Sequence, residues 1–469
     1  MADKDTSGVK GWNMSARFRG ALKREIPRWL ESGILPPEGA TALEARYRLG
    51  ELEAEGGRLL ASFIFGIGGL LLGGGVLAFV AAHWATLGAA FKVALIFSGL
   101  LGFHGAGFYL WHFRGWPRLG HALVLTGCLV YGAAIGLMAQ LFNVHSEWQR
   151  GFGGWAVGTI AVAWAVGSSW AGLLALGVGL IWFNGEIFDH GTMWWAFPIL
   201  VAALIVPLAF RSRSRALHFF SMLALVEAFA SIAGQEGRSG PAVLLGWAAG
   251  GFLVWAWGEF TEARTPCPFL AGSARVAGVV SLALGAYTWS FHWLWSERAF
   301  SSGGSVGSSA EWLMSFGMPL AGGIGLVVAA WLTPAVDKPA RRTGWVVVAA
   351  TALLILSVFS FGGTSPSHRR WDYSGGGTFS PEVALPVILA NLSAFLLAGS
   401  AVLSGLSGER RGRFWAGSLF AVLLVLSRFL EYETSLLLKS MAFLACGVLV
   451  IWGGTLFERR LRRREVAHV

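Results

Sequence analysis

The chain has 469 residues, of which 55% are hydrophobic and only 13% charged, with a net charge of +10 and a mean hydropathy of +0.60. Water-soluble domains carry roughly 25% charged residues, so half that share leaves too few charges to cover a water-facing surface of this size. The excess Lys and Arg sit in short gaps between apolar runs and at the two ends, which is a membrane-orientation pattern and excludes nucleic acid as a partner.

Residues 1–58 are expected to form a small cytoplasmic helical hairpin. Ser15 can cap a first helix running to about Ser32, with Phe18, Leu22, Ile26, Trp29 and Leu30 on one face. Gly33 ends it. Pro36 and Pro37 open a second helix, where proline is tolerated in the first turn, and Ala42, Leu43, Tyr47, Leu49 and Leu52 form its apolar side.

The stretch Leu59 to Ala82 contains no charge. At about 1.5 Å rise per residue it is long enough to cross the roughly 30 Å hydrocarbon core as a helix. Its glycines, Gly69 and Gly73 among them, read as a helix-packing face. Further apolar runs follow at about 89–110, 122–141, 153–167, 170–184, 194–210, 216–233, 241–257, 273–295, 313–333, 344–361, 384–404, 414–428 and 436–456. The expected fold is therefore an all-α polytopic membrane bundle of about fourteen helices over 59–457, with a basic tail over 458–469. The runs at 153–167, 170–184 and 414–428 are short for a span, so twelve or thirteen crossings stay open. Trp and Phe are frequent, as where aromatic rings collect at membrane interfaces.

Alternating the spans from a cytoplasmic N-terminus places Arg114, Arg118, Arg211, Arg213, Arg215, Arg264, Arg275 and the basic groups at 338–342 and 410–413 inside. Arg150, Arg238, Arg298, Arg369, Arg370 and Arg428 fall outside. The bias obeys the positive-inside rule and puts both termini in the cytoplasm. The same assignment collects His83, His145, His190, His292 and His368 with many acids on the outer side.

Candidate functional residues follow from polarity where polarity is costly. Glu227 lies near the middle of SMLALVEAFASIAG, and an intramembrane carboxylate is by default a proton carrier or a cation partner. The alternative is a structural, protonated Glu bonded to a neighbouring helix. Lys439 can snorkel or pair with Glu431 or Glu433. Arg428 and Glu431 are spaced to meet on one helix face. The stretch QLFNVHSEWQRGFGGW offers Gln140, Asn143, His145, Glu147 and Trp148 as a ligand pocket or proton relay, or as a plain interfacial loop. His83 and Trp84 end the first run on the same face. Cys128 and Cys446 lie inside apolar runs and Cys267 in a loop, without CxxC or metal-ligand spacing, so neither metal nor cofactor is expected.

The phrase WLESGIL (Trp29 to Leu35), the run LLASFIFGIGGLLLGGGVLAFVAAHW, then YGAAIGLMAQLFNVHSEW and GFGGWAVGTIAVAW together resemble a bacterial family of predicted membrane proteins, domain of unknown function 2157. The resemblance covers about residues 20 to 185 and returns in the ending RFLEYETSLLLKSMAFLACGVLVIWGGTLFERR. Family members carry an Asn-Trp-Asp-like phrase where this chain has His83, Trp84 and Ala85. The resemblance implies a bacterial multi-pass inner-membrane protein and carries no activity with it. Three functions remain open: a transporter or flippase, a scaffold for another membrane protein, or an enzyme on a lipid or envelope precursor. Beyond the lipid bilayer, the small-molecule or lipid ligand is unnamed.

Overall fold

A computed structural model describes residues 16–47, 86–144, 147–189, 195–234, 240–264, 268–296, 316–332, 338–361, 381–407, 411–431 and 435–467. The first apolar run with Gly69, Gly73, His83 and Trp84 lies outside the described residues. So do His145, His190, Cys267, His368, Glu433 and the proposed cap Ser15. The described chain is all α-helix. It divides into two units, Met1–Ala94 and Leu95–Val469.

In the first unit, α1 (Ala16–Glu31) and α2 (Pro37–Tyr47) form the expected hairpin. Gly33 takes φ +71°, and the amide of Ile34 reaches back to the carbonyl of Trp29 at 3.0 Å. That is the left-handed stop for which glycine is favoured, since it has no Cβ to clash. Ile26 and Ala40 are buried between the helices, with Leu22, Trp29, Leu35, Leu43 and Tyr47 packed around them.

In the rest of the chain, each apolar run that falls on described residues is helical, although the run expected at 273–295 breaks at Ser290 and Phe291 into two helices. The helices are α3 (Ala89–His112), α4 (Pro117–Leu141), α5 (Trp148–Val166), α6 (Ser169–Asp189), α7 (Ala196–Arg211), α8 (Arg215–Gly234), α9 (Gly240–Arg264) and α10 (Pro268–Trp289). The short α11 (His292–Ser296) follows, then α12 (Met318–Trp331), α13 (Lys338–Phe361), α14 (Pro381–Ser407), α15 (Arg411–Glu431) and α16 (Leu436–Ala467). Ten of them are long and apolar enough to cross a membrane. The short runs grow once folded. The fifth run is part of α6 and the thirteenth part of α15, and both helices reach spanning length. The fourth is part of α5, about 28 Å long at 1.5 Å per residue. The helix of α16 continues to Ala467, so the boundary expected at 457/458 falls within a continuous helix.

Two apolar cores share one pair of helices. One core joins residues of α4 to α8 with Val254, Ala274 and Ala277 of α9 and α10. The other joins α9 and α10 to α12, α13, α14 and α15. Within the best span window of α9, 67% of residues are buried, against 11% for α3 and for α16. The α9–α10 pair is thus the axis, and α3 and α16 present apolar side chains outward, as helices facing lipid do.

Glycine sets how closely the helices approach. On α4 and α5 the exchange is reciprocal. A Cβ on Gly132 would fall 2.2 Å from the Trp155 ring, and one on Gly158 would fall 2.3 Å from the Tyr131 ring. Each aromatic ring therefore lies on the other helix's glycine, and the indole of Trp155 donates to the Cys128 carbonyl at 2.9 Å. In α7 the residues Val201–Ile205 form a π-turn. Pro207 lacks an amide hydrogen and its ring crowds the preceding turn, which widens the helix there. The indole of Trp164 on α5 donates to the Leu204 carbonyl in that widened turn at 3.1 Å.

Candidate functional site

Glu227 sits on α8 and faces α6. Its Oε1 lies 2.8 Å from Ser231 Oγ, one turn further on, and Ser231 Oγ lies 3.3 Å from Asn184 Oδ1 on α6. The Asn184 amide donates to the Leu180 carbonyl at 3.0 Å. Glu227 Oε2 is buried without a hydrogen-bond partner among the described residues. The group holds several acceptor oxygens, and the serine hydroxyl can donate to only one of them at a time. The Asn184 side chain also lies within hydrogen-bonding reach of the Glu227 carboxyl. Asn184 carries the same sequence signal as Glu227, a polar side chain inside the apolar run IWFNGEIF, but had not been singled out.

A second polar group closes the end of α10 against α15. Arg428 and Glu431 meet at 2.7 Å, as their spacing on one helix face predicts. Their side chains are only 17% and 5% exposed. Arg428 also donates to the Ser290 carbonyl and stacks over the Phe291 ring at 4.1 Å. Glu431 accepts the backbone amides of His292 and, at 3.4 Å, Trp293. Asn391 of α14 donates to the same Ser290 carbonyl at 3.1 Å. The ion pair therefore fastens three helices where the chain leaves α10. Lys439, for which pairing with Glu431 was one reading, is half-buried on α16, and Glu431 is engaged by Arg428.

The polar stretch after α4 separates on folding. Gln140 is exposed at the end of α4. Asn143 takes φ +48°, and the Val144 amide returns to the Ala139 carbonyl at 2.9 Å. Asn143 thus terminates α4, in the conformation that asparagine tolerates better than most residues. Glu147 pairs with Arg150 at 3.3 Å in the first turn of α5, where a carboxylate also favours the helix dipole. Trp148 covers Gly185, whose Cβ would fall 2.5 Å from the indole. Gln149 is 2% exposed and donates its amide to Asp189 of α6. Of the outer-face set that an enzyme would bring together, the described members pair separately, Glu147 with Arg150 and Arg428 with Glu431.

Polar groups that sequence reading did not single out lie where α9 ends and α10 begins. Arg275 bridges Glu259 at 3.5 Å and also contacts Glu262. Arg264 donates to the Ala329 carbonyl of α12 at 3.1 Å. His218 of α8 is fully buried, with Nδ1 2.8 Å from Ser273 Oγ. The Ser273 hydroxyl is committed to the Leu270 carbonyl at 2.6 Å, so Nδ1 carries the hydrogen between them. Among the described residues no group of three or more His, Cys, Asp or Glu is placed to hold a metal ion.

Two apolar cavities flank α5. One, of about 470 Å³, is lined by α3, α4 and the start of α5, including Phe97, Ile135, Met138, Arg150 and Gly151. The other, of about 270 Å³, lies between α5, α6 and α7, lined by Arg150, Gly154, Ile160, Trp182, Phe197 and Val201 among others. Arg150 belongs to both. Glu227 lines neither.

Compared with known proteins, residues 27–172 match the family described as predicted membrane protein (DUF2157). The matched segment runs from α1 into α6, so it contains Arg150 and the lining of the larger cavity but not the α6 and α7 wall of the smaller one, nor Glu227, Arg428 or Glu431. No curated protein and no solved structure matches the chain.

Proposed function

We propose that this multi-pass membrane protein is a transporter or flippase of a bacterial inner membrane, with Glu227 as its proton-carrying group. The reading includes about fourteen spans, both termini in the cytoplasm, and domains at 1–58, 59–457 and 458–469. The helices α5, α7 and α12, together with the apolar run 59–82, supply the crossings beyond the ten that meet the length and hydropathy criteria. The observation that carries it is the Glu227–Ser231–Asn184 group. It joins α8 to α6 within apolar helices, with the Ser231 hydroxyl and the Asn184 side chain as the polar neighbours of the carboxyl. An ionisable group placed where burial is this costly is by default a functional one.

Proteoliposomes loaded with a pH-sensitive dye and given a pH step test this. The wild-type protein is expected to carry protons above the rate of empty vesicles, and Glu227→Gln to abolish that flux while keeping the fold. Equal flux from the variant ends the proton-carrying role.

A second reading, a scaffold for another membrane protein, is favoured by the α1–α2 hairpin. It has its own small core and yet leaves Ile34 72% exposed. Deletion of residues 1–55 is then expected to lose a co-purifying membrane protein while the rest of the chain still inserts. An unchanged co-purification profile removes the hairpin from that role.

A further inference from the structure

We infer that α5 is the ridge of a binding site for one diacyl glycerophospholipid with a zwitterionic, primary-amine headgroup. The two cavities lie on either side of α5 and share Arg150, which stands in its first turn. Their walls are apolar: Phe97, Ile135 and Met138 on one side, Ile160, Phe197 and Val201 on the other. The larger lies within the range of about 300–1,000 Å³ typical of small-molecule sites. Two apolar grooves meeting at one cation match two acyl chains meeting at one phosphate. The widened π-turn of α7 lines the smaller groove and gives it room.

The charges at the mouth select among headgroups. Arg150 is 73% exposed, so its guanidinium is accessible to a phosphate. Glu147 lies 3.3 Å from it and is 44% exposed. One cation already paired with one acid favours a headgroup that carries both charges over one of net negative charge. The same set is the mirror image of a phosphate followed by an ammonium. The ammonium hydrogens give Glu147 donors that a trimethylated amine does not have. Glycines shape the grooves: a Cβ at Gly151 or Gly154 would meet only Ile135, at 3.6 and 3.9 Å, so a longer side chain there fits at its root and projects into the lipid space.

The site stands apart from the proton-carrying reading, because Glu227 lines neither groove. The test is native mass spectrometry of the full chain, delipidated in detergent and titrated with phosphatidylethanolamine, phosphatidylcholine or phosphatidylglycerol. One phosphatidylethanolamine is expected to be retained per chain, at least fivefold more readily than either other lipid. Arg150→Ala is expected to remove that retention, and Glu147→Gln to narrow the preference for ethanolamine over choline. Gly151→Leu and Gly154→Leu are expected to weaken retention with the charges intact, and Glu227→Gln to leave it unchanged. Each variant is compared at equal melting behaviour. Equal retention of the three lipids, a preference for phosphatidylglycerol, or an Arg150→Ala protein that binds like wild type would each overturn the site.

Discussion

Replacing Arg428 with methionine is expected to destabilise the protein by about 3–5 kcal/mol, the range for removing one partner of a buried ion pair. The size follows from what stays behind. Glu431 is 5% exposed and, among the described residues, keeps the amides of His292 and Trp293. The Ser290 carbonyl loses a charged donor and retains Asn391. The Phe291 ring loses its cation, a smaller loss of about 0.5–2 kcal/mol. Thermal unfolding in detergent, followed by circular dichroism, measures the change. The double variant Arg428→Met/Glu431→Gln is expected to recover part of the loss, because it no longer buries an uncompensated carboxylate. A single variant that melts with the wild type would show that the pair does not fasten α15 to the α10–α11 junction.

Gly278→Leu on α10 is expected to be as damaging, through packing rather than charge. A Cβ at Gly278 would lie 2.5 Å from the Trp255 backbone nitrogen, 2.6 Å from Trp255 Cβ and 2.7 Å from the Gly251 carbonyl oxygen. None of these atoms can rotate away, so α9 and α10 must separate. Overpacking commonly costs about 1–3 kcal/mol. Here the upper end or beyond is expected, because both apolar cores are built on this helix pair. Gly272 on the same helix is the control. A Cβ there meets nothing within 4 Å, so Gly272→Ala should hold or raise stability through helix propensity alone. The two variants compared by SDS-resistance and detergent melting separate close approach from glycine's general effect on a helix. Similar behaviour in both would remove Gly278 from the contact.

That contact was partly legible. Gly251 and Gly258 on α9, and Gly278 and Gly285 on α10, are each seven residues apart, the repeat that keeps one face of a helix turned to its neighbour. The repeat shows that a helix has a close-contact face. Nothing local says that these two faces belong together.

The candidate sites divide the same way. Glu227 was visible because an acid inside an apolar run stands out in any context, and Arg428 with Glu431 because three residues bring two side chains together on a helix. Gln140, Asn143 and Glu147 looked like one cluster from their closeness in the chain. Folding gave them separate tasks: an exposed helix end, a helix stop and a partner for Arg150. Closeness in sequence is a poor guide at a helix end, because the chain turns there and successive side chains point apart.

The sequence by itself determined membrane residence, the all-helical fold, the places of the helices and the hairpin stop at Gly33. These depend on local quantities: the hydropathy of a run, its length against the bilayer, and the φ that a single residue can adopt. Only the tertiary structure decided that Ser231 and Asn184 hold Glu227, that Ser290 and the amides of His292 and Trp293 receive the Arg428–Glu431 pair, that Arg275 serves Glu259 and Glu262, and that Arg150 heads two grooves. Most of those partners come from other helices, often far apart in the chain. Hydrophobicity places every such helix in the membrane equally well. Which helices touch is settled by small residues, aromatic rings and polar atoms that must find one another in the absence of water.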